Sequence, residues 1–580
     1  MRARPRDYAA VLAVSYGASV LFNLLVGSYS WLPGHGWELI FLPVPESLGV
    51  VLLVLGISRI HAPRRFRPLL IVLSFIILII FLFNLGQTFF RYVYRRDFDP
   101  YTLLPLVPEF FAMVFRSDVV KRPSFIAAVS LVAGALLGGF FFLLLSLLRR
   151  IFSRFEIGPA GFLFPAALLF VVLFLPSPIL SEVLFRKMVN GPADFADTVP
   201  TPLDDTGAEW GEDKGAVKES EPVGLETPPE TGPEYAFPGI EDPDIYLFVA
   251  ESYGHTIFTN PHHFERLEET YRDLDRKLNE AGFRVYTTIY ESTTFGGTSW
   301  LADTTLITGI EIDTQAKFNT VIDAASRNLI HILGEEGYTT VFSAPGTKAI
   351  PEPQKRFYSF SRFVLAEDFG YQGPYFTFGD MPDQFQINHV HSKVLSRIES
   401  PFFVEFMLVS SHVPWNYIPP VIEEWRRLDD GSIYYDRSKN TWYDNSWAVG
   451  SELFEGYTHS IRYVLKVIVD YLITYLSENE LIILVGDHQP KFPISEEDAG
   501  FGVPVHIISR NKEALKHFAR FGYAEGFIPP EDEGFYGLES FLGHFLYIAR
   551  GRSLGRAPGR RPDRIPPSPF EVNTAPDRGE

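Results

Sequence analysis

The chain has 580 residues, too many for one small domain, and its apolar residues are unevenly spread. A formal net charge of −19 at pH 7 argues against a nucleic-acid partner, because a phosphate backbone needs a basic face. With no cysteine, the chain excludes disulfides, cysteine zinc sites, thiol nucleophiles and a formylglycine derived from cysteine.

Five apolar segments, at 8–29, 39–60, 69–90, 124–148 and 161–180, each approach the ~20 residues a bilayer requires. They predict a five-span membrane domain at 1–185. The first is not a cleaved signal peptide, since four more follow and no small-residue cleavage site ends it. Arginines cluster before the first segment (Arg2, Arg4, Arg6), between the second and third (Arg59, Arg64, Arg65, Arg67) and between the fourth and fifth (Arg149, Arg150, Arg154). These loops share one side, and positive loops stay in the cytoplasm. The N-terminus is therefore expected inside and everything after about Ser181 outside, anchored in the plasma (inner) membrane.

Residues 186–242 are rich in Pro, Gly, Glu and Asp and predict an acidic linker too polar to order itself. The Pro/Arg-rich stretch 551–580 predicts a disordered tail. Between them, 243–550 alternate apolar strands with amphipathic helices. Strands are expected at 244–250, 283–290, 339–343, 402–409, 481–485 and 503–509. Helices are expected at 262–281, 326–336, 383–399 and 452–477. Such alternation implies an α/β domain whose mostly parallel sheet is covered on both faces. Ligands in these sheets gather at the carboxyl ends of strands.

Four polar stretches fall where that rule points. Glu251-Ser252 ends the first strand, Ser410-Ser411-His412 the strand at 402–409, and Gly486-Asp487-His488 the strand at 481–485. The fourth follows the strand at 283–290. There Gly296-Gly297 forms a turn that puts Thr298 at or near the first turn of a helix ending near Gly309. A hydroxyl at that place sits among unpaired N–H groups and the positive end of the helix dipole, which suits a phosphate. Glu251, Asp487 and His488, with the Thr298 oxygen, offer a mixed oxygen and nitrogen site for Mn2+, Mg2+ or Zn2+. Each residue has a plain alternative: Thr298 and Glu251 as helix caps, Asp487-His488 as a polar turn, His412 as a satisfied loop histidine. His506 is expected in the core or at a sheet edge, and His262, His263 and His459 in structural roles.

The order Glu251, Gly296-Gly297-Thr298, Ser411-His412, Gly486-Asp487-His488 resembles the alkaline-phosphatase/sulfatase superfamily. Within it, the chain is most similar to lipoteichoic-acid synthases and related membrane phosphoglycerol transferases, which share five spans, a linker and an external catalytic domain. The resemblance implies a sulfatase-like fold and a divalent metal, Mn2+ ahead of Mg2+ or Zn2+. It places metal ligands at Glu251, Thr298, Asp487 and His488, the nucleophile at Thr298, and substrate contacts at His412 and Arg356. It also implies transfer of a phosphoglycerol- or phosphoethanolamine-type group, through a phospho-threonine, from a phospholipid donor to an envelope glycan or lipid acceptor. A phosphodiesterase or sulfatase-type hydrolase and a non-catalytic envelope protein on the same scaffold are the alternatives. Thr298-Ser299-Trp300 lacks the Cys/Ser-x-Pro-x-Arg pattern of sulfatases, which counts against sulfate esters.

Overall fold

The computed structural model describes residues 235–376, 381–436, 440–443, 451–477, 479–496, 499–530 and 535–551. It also describes a helix at 123–152 and parts of a helical segment between 68 and 78. The chain divides into two compact units, one holding residues 1–194 with 567–580 and the other 195–566.

In the first unit, α1 (Pro123–Phe152) runs for 30 residues. Leu136, Phe140, Leu143 and Leu147 stand exposed along it. It coincides with the segment expected to span at 124–148. The segments at 8–29, 39–60 and 161–180 lie outside the described residues, as does most of 69–90. Among the described residues no helix is long and apolar enough to cross a membrane.

The second unit is built on β1 (Asp244–Ala250), β2 (Arg284–Glu291), β3 (Thr339–Ala344), β4 (Arg362–Leu365), β5 (Phe402–Leu408), β6 (Glu480–Gly486), β7 (Gly502–Ser509), β8 (Ala524–Glu525) and β9 (Tyr536–Gly537). They form one sheet in the order β8-β2-β7-β6-β1-β5-β3-β4, with β9 beside β2. The central ladders β6-β1, β1-β5, β5-β3 and β3-β4 are parallel. β7 runs antiparallel to both β6 and β2, and the short edge strand β8 is antiparallel to β2. Only a loop joins β6 to β7, and a parallel return needs a crossover, usually a helix, so the strand turns back.

Both faces of the sheet are covered, as the apolar strands demand. Alternate residues of β1 serve opposite layers. Tyr246 and Phe248 pack with Leu267 and Tyr271 of α2 (Pro261–Glu280) and with residues of a later helix at Ser451–Tyr475. Ile245, Leu247 and Val249 pack on the other side with Ala302 and Leu306 of α3 (Ser299–Thr308) and with Phe541 and Leu542 near the C-terminus. Helix α2 starts where Asn260 accepts the His262 N–H and Pro261 occupies the first turn. Its Leu267, Tyr271, Leu274 and Leu278 share one face and are at most 2% exposed. Burial of each contributes roughly 1.5–3 kcal/mol.

Some boundaries differ from expectation. The helix expected at 326–336 is Leu329–Glu335, because Asn328 builds a capping box there and fixes its start. A helix at Gln315–Asp323, capped by Thr314, precedes it and had no counterpart in the sequence reading. The helix expected at 383–399 ends at Lys393 and tightens into a 3-10 turn at Leu395–Arg397 before Pro401. At the end of the expected linker, residues 235–242 pack onto the domain: Phe237 and Ile240 are buried, and Gly239 N–H donates to the Ala549 carbonyl. The rest of that linker and the tail beyond 551 lie outside the described residues.

Candidate active site

Three parallel strands end level with one another. Ala250 of β1 stands opposite Leu408 of β5 on one side and Gly486 of β6 on the other. The residues that follow them, Glu251-Ser252, Ser410 to His412 and Asp487-His488, therefore share one end of the sheet. Close packing holds that end together. A Cβ on Gly486 would lie 1.8 Å from the Tyr253 carbonyl oxygen, so only glycine fits beneath the loop after β1. Ser252 takes a left-handed backbone (φ 56°), and its carbonyl accepts the Tyr457 hydroxyl at 2.9 Å. Ser411 Oγ donates to the Glu251 carbonyl at 2.6 Å, which ties the β5 end to the β1 end.

Glu251, Asp487 and His488 bring one ligand atom each within 4.8 Å of one another. His488 Nε2 lies 3.4 Å from Glu251 Oε1 and 3.4 Å from Asp487 Oδ2. His488 Nδ1–H donates to the Gln489 carbonyl at 2.8 Å, which turns Nε2 toward the carboxylates. A hydrogen bond of this kind on the far ring nitrogen fixes tautomer and orientation, as it does in imidazoles that ligate metals. Asp487 Oδ1 accepts the N–H groups of Ser252 (2.8 Å) and His488 (2.6 Å), leaving Oδ2 aimed at the cluster. Glu251 is no helix cap: the next helical turn, Thr256–Thr259, begins after His255.

The electrostatics of the trio call for a cation. Burial and the Glu251 charge push the Asp487 carboxyl up to about 7, against the pull of His488 and hydrogen bonds from Ser299 and Ser252. Burial alone would raise Glu251 too, but the charges of His412 and His488, with hydrogen bonds from His488 and Ser252, hold it below the usual carboxylate range. Burial disfavours imidazolium at His488, yet Asp487 and Glu251 outweigh it and raise the ring to about 9. A proton on Nε2 thus stands in for positive charge that the two carboxylates demand. Two hard oxygens and an imidazole nitrogen are a donor set that Mn2+ or Zn2+ accepts, so these residues fit a divalent metal.

The fourth stretch enters from the side. Gly296 N–H donates to the Gln489 carbonyl at 2.9 Å, and Phe295 bridges to Gln489, so the loop after β2 is pinned beside His488. Gly296, Gly297 and Thr298 have φ of 68°, 148° and 66° in succession. Two glycines take such values freely, whereas threonine takes them at a cost. Thr298 holds the N-cap position of α3 with no capping hydrogen bond from its side chain, and its Oγ1 donates to the Gly297 carbonyl at 2.5 Å. The next residue reaches the cluster. Ser299 Oγ donates to Glu251 Oε2 at 3.1 Å and lies 3.4 Å from His488 Nε2. The sequence reading missed Ser299 as a site residue. The signal that could have found it was its place as first helical residue, one position past the cap.

Among the other expected residues, His412 is part-buried, near enough for its charge to act on Glu251, and its Nδ1–H donates to the Val413 carbonyl. Arg356 is exposed in the last turn of a helix at Glu352–Tyr358. His506 lies fully buried in β7, hydrogen-bonded to Tyr253 and Thr287, the core role expected of it. His263 is likewise buried against the Ile494 carbonyl.

Residues 304–519 match the family model described as Sulfatase, so the chain carries a sulfatase-type domain. The matched span contains His412, Asp487 and His488 and begins after Glu251 and Thr298. No curated protein matches the chain. Among solved structures, the integral membrane lipooligosaccharide phosphoethanolamine transferase A (EptA) from Neisseria meningitidis is 13% identical, over 95% of this chain and 96% of its own, with a TM-score of 0.42. The lipoteichoic acid synthase LtaP from Listeria monocytogenes is 13% identical, over 55% of this chain and 75% of its own, with a TM-score of 0.34. A protein in the alkaline phosphatase superfamily from Vibrio parahaemolyticus is 16% identical and has a TM-score of 0.33. That match covers 47% of this chain and 60% of the Vibrio chain.

Proposed function

We propose that the domain is a metal-dependent phosphotransferase that passes a phosphoglycerol- or phosphoethanolamine-type group through a covalent phospho-enzyme. The observation that carries this reading is the trio of half-buried Glu251 with buried Asp487 and His488, beside a helix N-terminus bearing two adjacent hydroxyls. A metal bound there would lower the pKa of a nearby hydroxyl and neutralise charge on the phosphoryl oxygens.

The chain's own residues supply the rest. Glu251 and Asp487 bring negative charge, and His488, fixed by the Gln489 carbonyl, presents Nε2. The N-terminal N–H groups of α3 receive phosphoryl oxygens. The attacking hydroxyl comes from Thr298 or its neighbour Ser299; Thr298, as a further ligand and nucleophile, is the assignment the sequence favours. His412, beside Glu251, donates a hydrogen bond to the transferred group or a proton to the leaving oxygen. Arg356 contacts the donor's headgroup. The lipid donor and the envelope acceptor rest on the five apolar segments and the resemblance to membrane phosphoglycerol transferases, which also support an extracytoplasmic domain anchored in the plasma membrane.

The test is to incubate the full chain with Mn2+ and vesicles of phosphatidylglycerol and phosphatidylethanolamine, then weigh the peptide that carries Thr298 and Ser299. A glycerophosphate- or ethanolamine-phosphate-sized increment, lost in EDTA, is expected. Full turnover in EDTA would remove the metal from the mechanism. Release of the headgroup to water alone, with any lipid or glycan acceptor present, would make the enzyme a hydrolase.

A further inference from the structure

Strand β5 stops at Leu408, and the residues that follow carry His412 to the site. Their N–H groups have left the ladder and need other acceptors. A buried acid on another element supplies one. Asp383 opens the helix Asp383–Lys393 and is fully buried. Its Oδ1 accepts the N–H groups of Val409 at 2.8 Å and Ser410 at 3.0 Å. Its own N–H donates to Ser410 Oγ at 2.9 Å. Three hydrogen bonds thus join one residue to the two positions that follow β5. Asp383 Oδ2 has no hydrogen-bond partner. The geometry therefore uses one side-chain oxygen, which an amide also offers.

Beyond that grip the turn closes on itself. His412 N–H donates to the Val409 carbonyl at 3.0 Å, and Trp415 Nε1–H to the Ser411 carbonyl at 2.5 Å. Ser411 Oγ, bonded to the Glu251 carbonyl, ties the same turn to the end of β1. His412 is thereby set beside Glu251. Asp383 stands behind them, within electrostatic reach of the site. Burial first and the Glu251 charge last push its carboxyl up to about 6, against hydrogen bonds from Val409 and Ser410. The metal-site trio has supports of its own. Glu251 follows a strand paired on both sides, Ser252 Oγ donates to its Oε1 at 3.0 Å, and Ser252 N–H holds Asp487. Loosening the turn after β5 would therefore displace His412 and leave the trio in place.

We propose that Asp383 is a positioning residue for the transfer reaction, setting the place of His412 by gripping the turn at 409–412; this rests on the phosphotransferase reading above, in which His412 meets the transferred group. Asp383 acts through that turn and not on the substrate. It keeps the imidazole within reach of the phosphoryl and leaving oxygens, where a displacement of about 1 Å costs on the order of 100-fold in rate.

The experiment follows headgroup transfer by the full chain with Mn2+ and vesicles of phosphatidylglycerol and phosphatidylethanolamine. It compares the parent, Asp383→Ala, Asp383→Asn, His412→Ala and the double variant with Ala at both positions. Calorimetry with Mn2+ alone reports on the trio. Asp383→Ala is expected to lower kcat about 10–100-fold. Its KM for donor lipid and its Mn2+ affinity should stay within about twofold of the parent, and the retained affinity shows that the variant is folded. Asp383→Asn should recover most of the lost rate. In a His412→Ala background, Asp383→Ala should cost less than about twofold, because effects that run through one shared residue do not add. Where Asp383→Ala fails to fold, Asp383→Ser, which leaves a shorter acceptor, takes its place in the same cycle. Parent-like kcat in Asp383→Ala, no recovery in Asp383→Asn, or an equal loss with and without His412 would each overturn the proposal and leave the phosphotransferase standing. So would parent-like kcat in His412→Ala, or a fall in Mn2+ affinity that matches the fall in kcat. A parent chain that transfers no headgroup would instead sink the phosphotransferase reading, and the Asp383 proposal with it.

Discussion

The domain holds two groups of acids at low exposure, and they behave in opposite ways. Glu251 and Asp487 sit at strand ends, with His488 between them and backbone N–H groups on Asp487. Asp303 and Glu405 meet inside a layer: Asp303 lies on α3, Glu405 in the middle of β5, on the face it shares with Leu247. No backbone amide answers Glu405, and both its oxygens and Asp303 Oδ1 find no donor outside the pair. Burial raises Asp303 to about 7, partly offset by the hydrogen bond from Glu405, and burial with the Asp303 charge raises Glu405 well above its ordinary value. The same side-chain chemistry thus gives a site that wants a cation in one place and a proton-sharing clamp in the other. The difference is the supply of donors and of a third, nitrogen ligand, not the number of carboxylates.

The largest effect should come from the first group. Asp487→Ala or His488→Ala is expected to cost Mn2+ affinity more than the ~10–100-fold typical of losing an outer-shell partner. Calorimetry reads this directly, and Glu405→Ala should not reproduce it. Gly254→Ala comes next. Its Cβ would lie 2.1 Å from Gln489 Oε1 and 2.7 Å from Gln489 Cα, so the loop holding His488 must shift. About 1–3 kcal/mol of destabilisation in urea unfolding is expected, with weaker Mn2+ binding.

The second group should show itself through pH. Both acids have raised values in the folded state, so from the ordinary carboxylate range up to about 7 the folded protein keeps a proton that the unfolded chain has released. Stability must then fall as pH rises through that window. Glu405→Gln keeps a hydrogen-bonding partner for Asp303 and removes one titration. The unfolding midpoint of metal-free Glu405→Gln should therefore gain on the parent chain between pH 5 and about 7. Midpoints that stay parallel across that range would dissolve the clamp. The smallest effect is expected at exposed Arg356, where Ala should raise the KM for donor lipid a few-fold and leave Mn2+ affinity unchanged.

What the sequence reveals follows the same division. Glu251, Asp487 and His488 were legible because each follows an unbroken apolar strand, and parallel strands bring such ends together. The sheet's covering layers were legible from strand–helix alternation. The reversal of β7 was available in principle, since no helix separates 481–485 from 503–509, but apolar content alone carries no direction. Ser299 was hidden because residue type favours any conformation but the left-handed one for Thr298, and only the packing of Gly296 under Gln489 imposes it. The Asp303–Glu405 pair was hidden for a plainer reason: a lone acid inside Phe402–Leu408 does not announce a partner on a distant helix.

The trio spans Glu251 to His488, and the hydrogen bond from Ser252 N–H to Asp487 alone crosses 235 positions of chain. An unfolded chain keeps only the neighbours Asp487 and His488 together. An ion held by the trio, as proposed above, would therefore bind only as the whole sheet closes, and the free-ion level would set how long the folded domain survives. At a hundred times its dissociation constant an ion adds about 2.7 kcal/mol to the folded state. Metal starvation would then thin the population of folded protein.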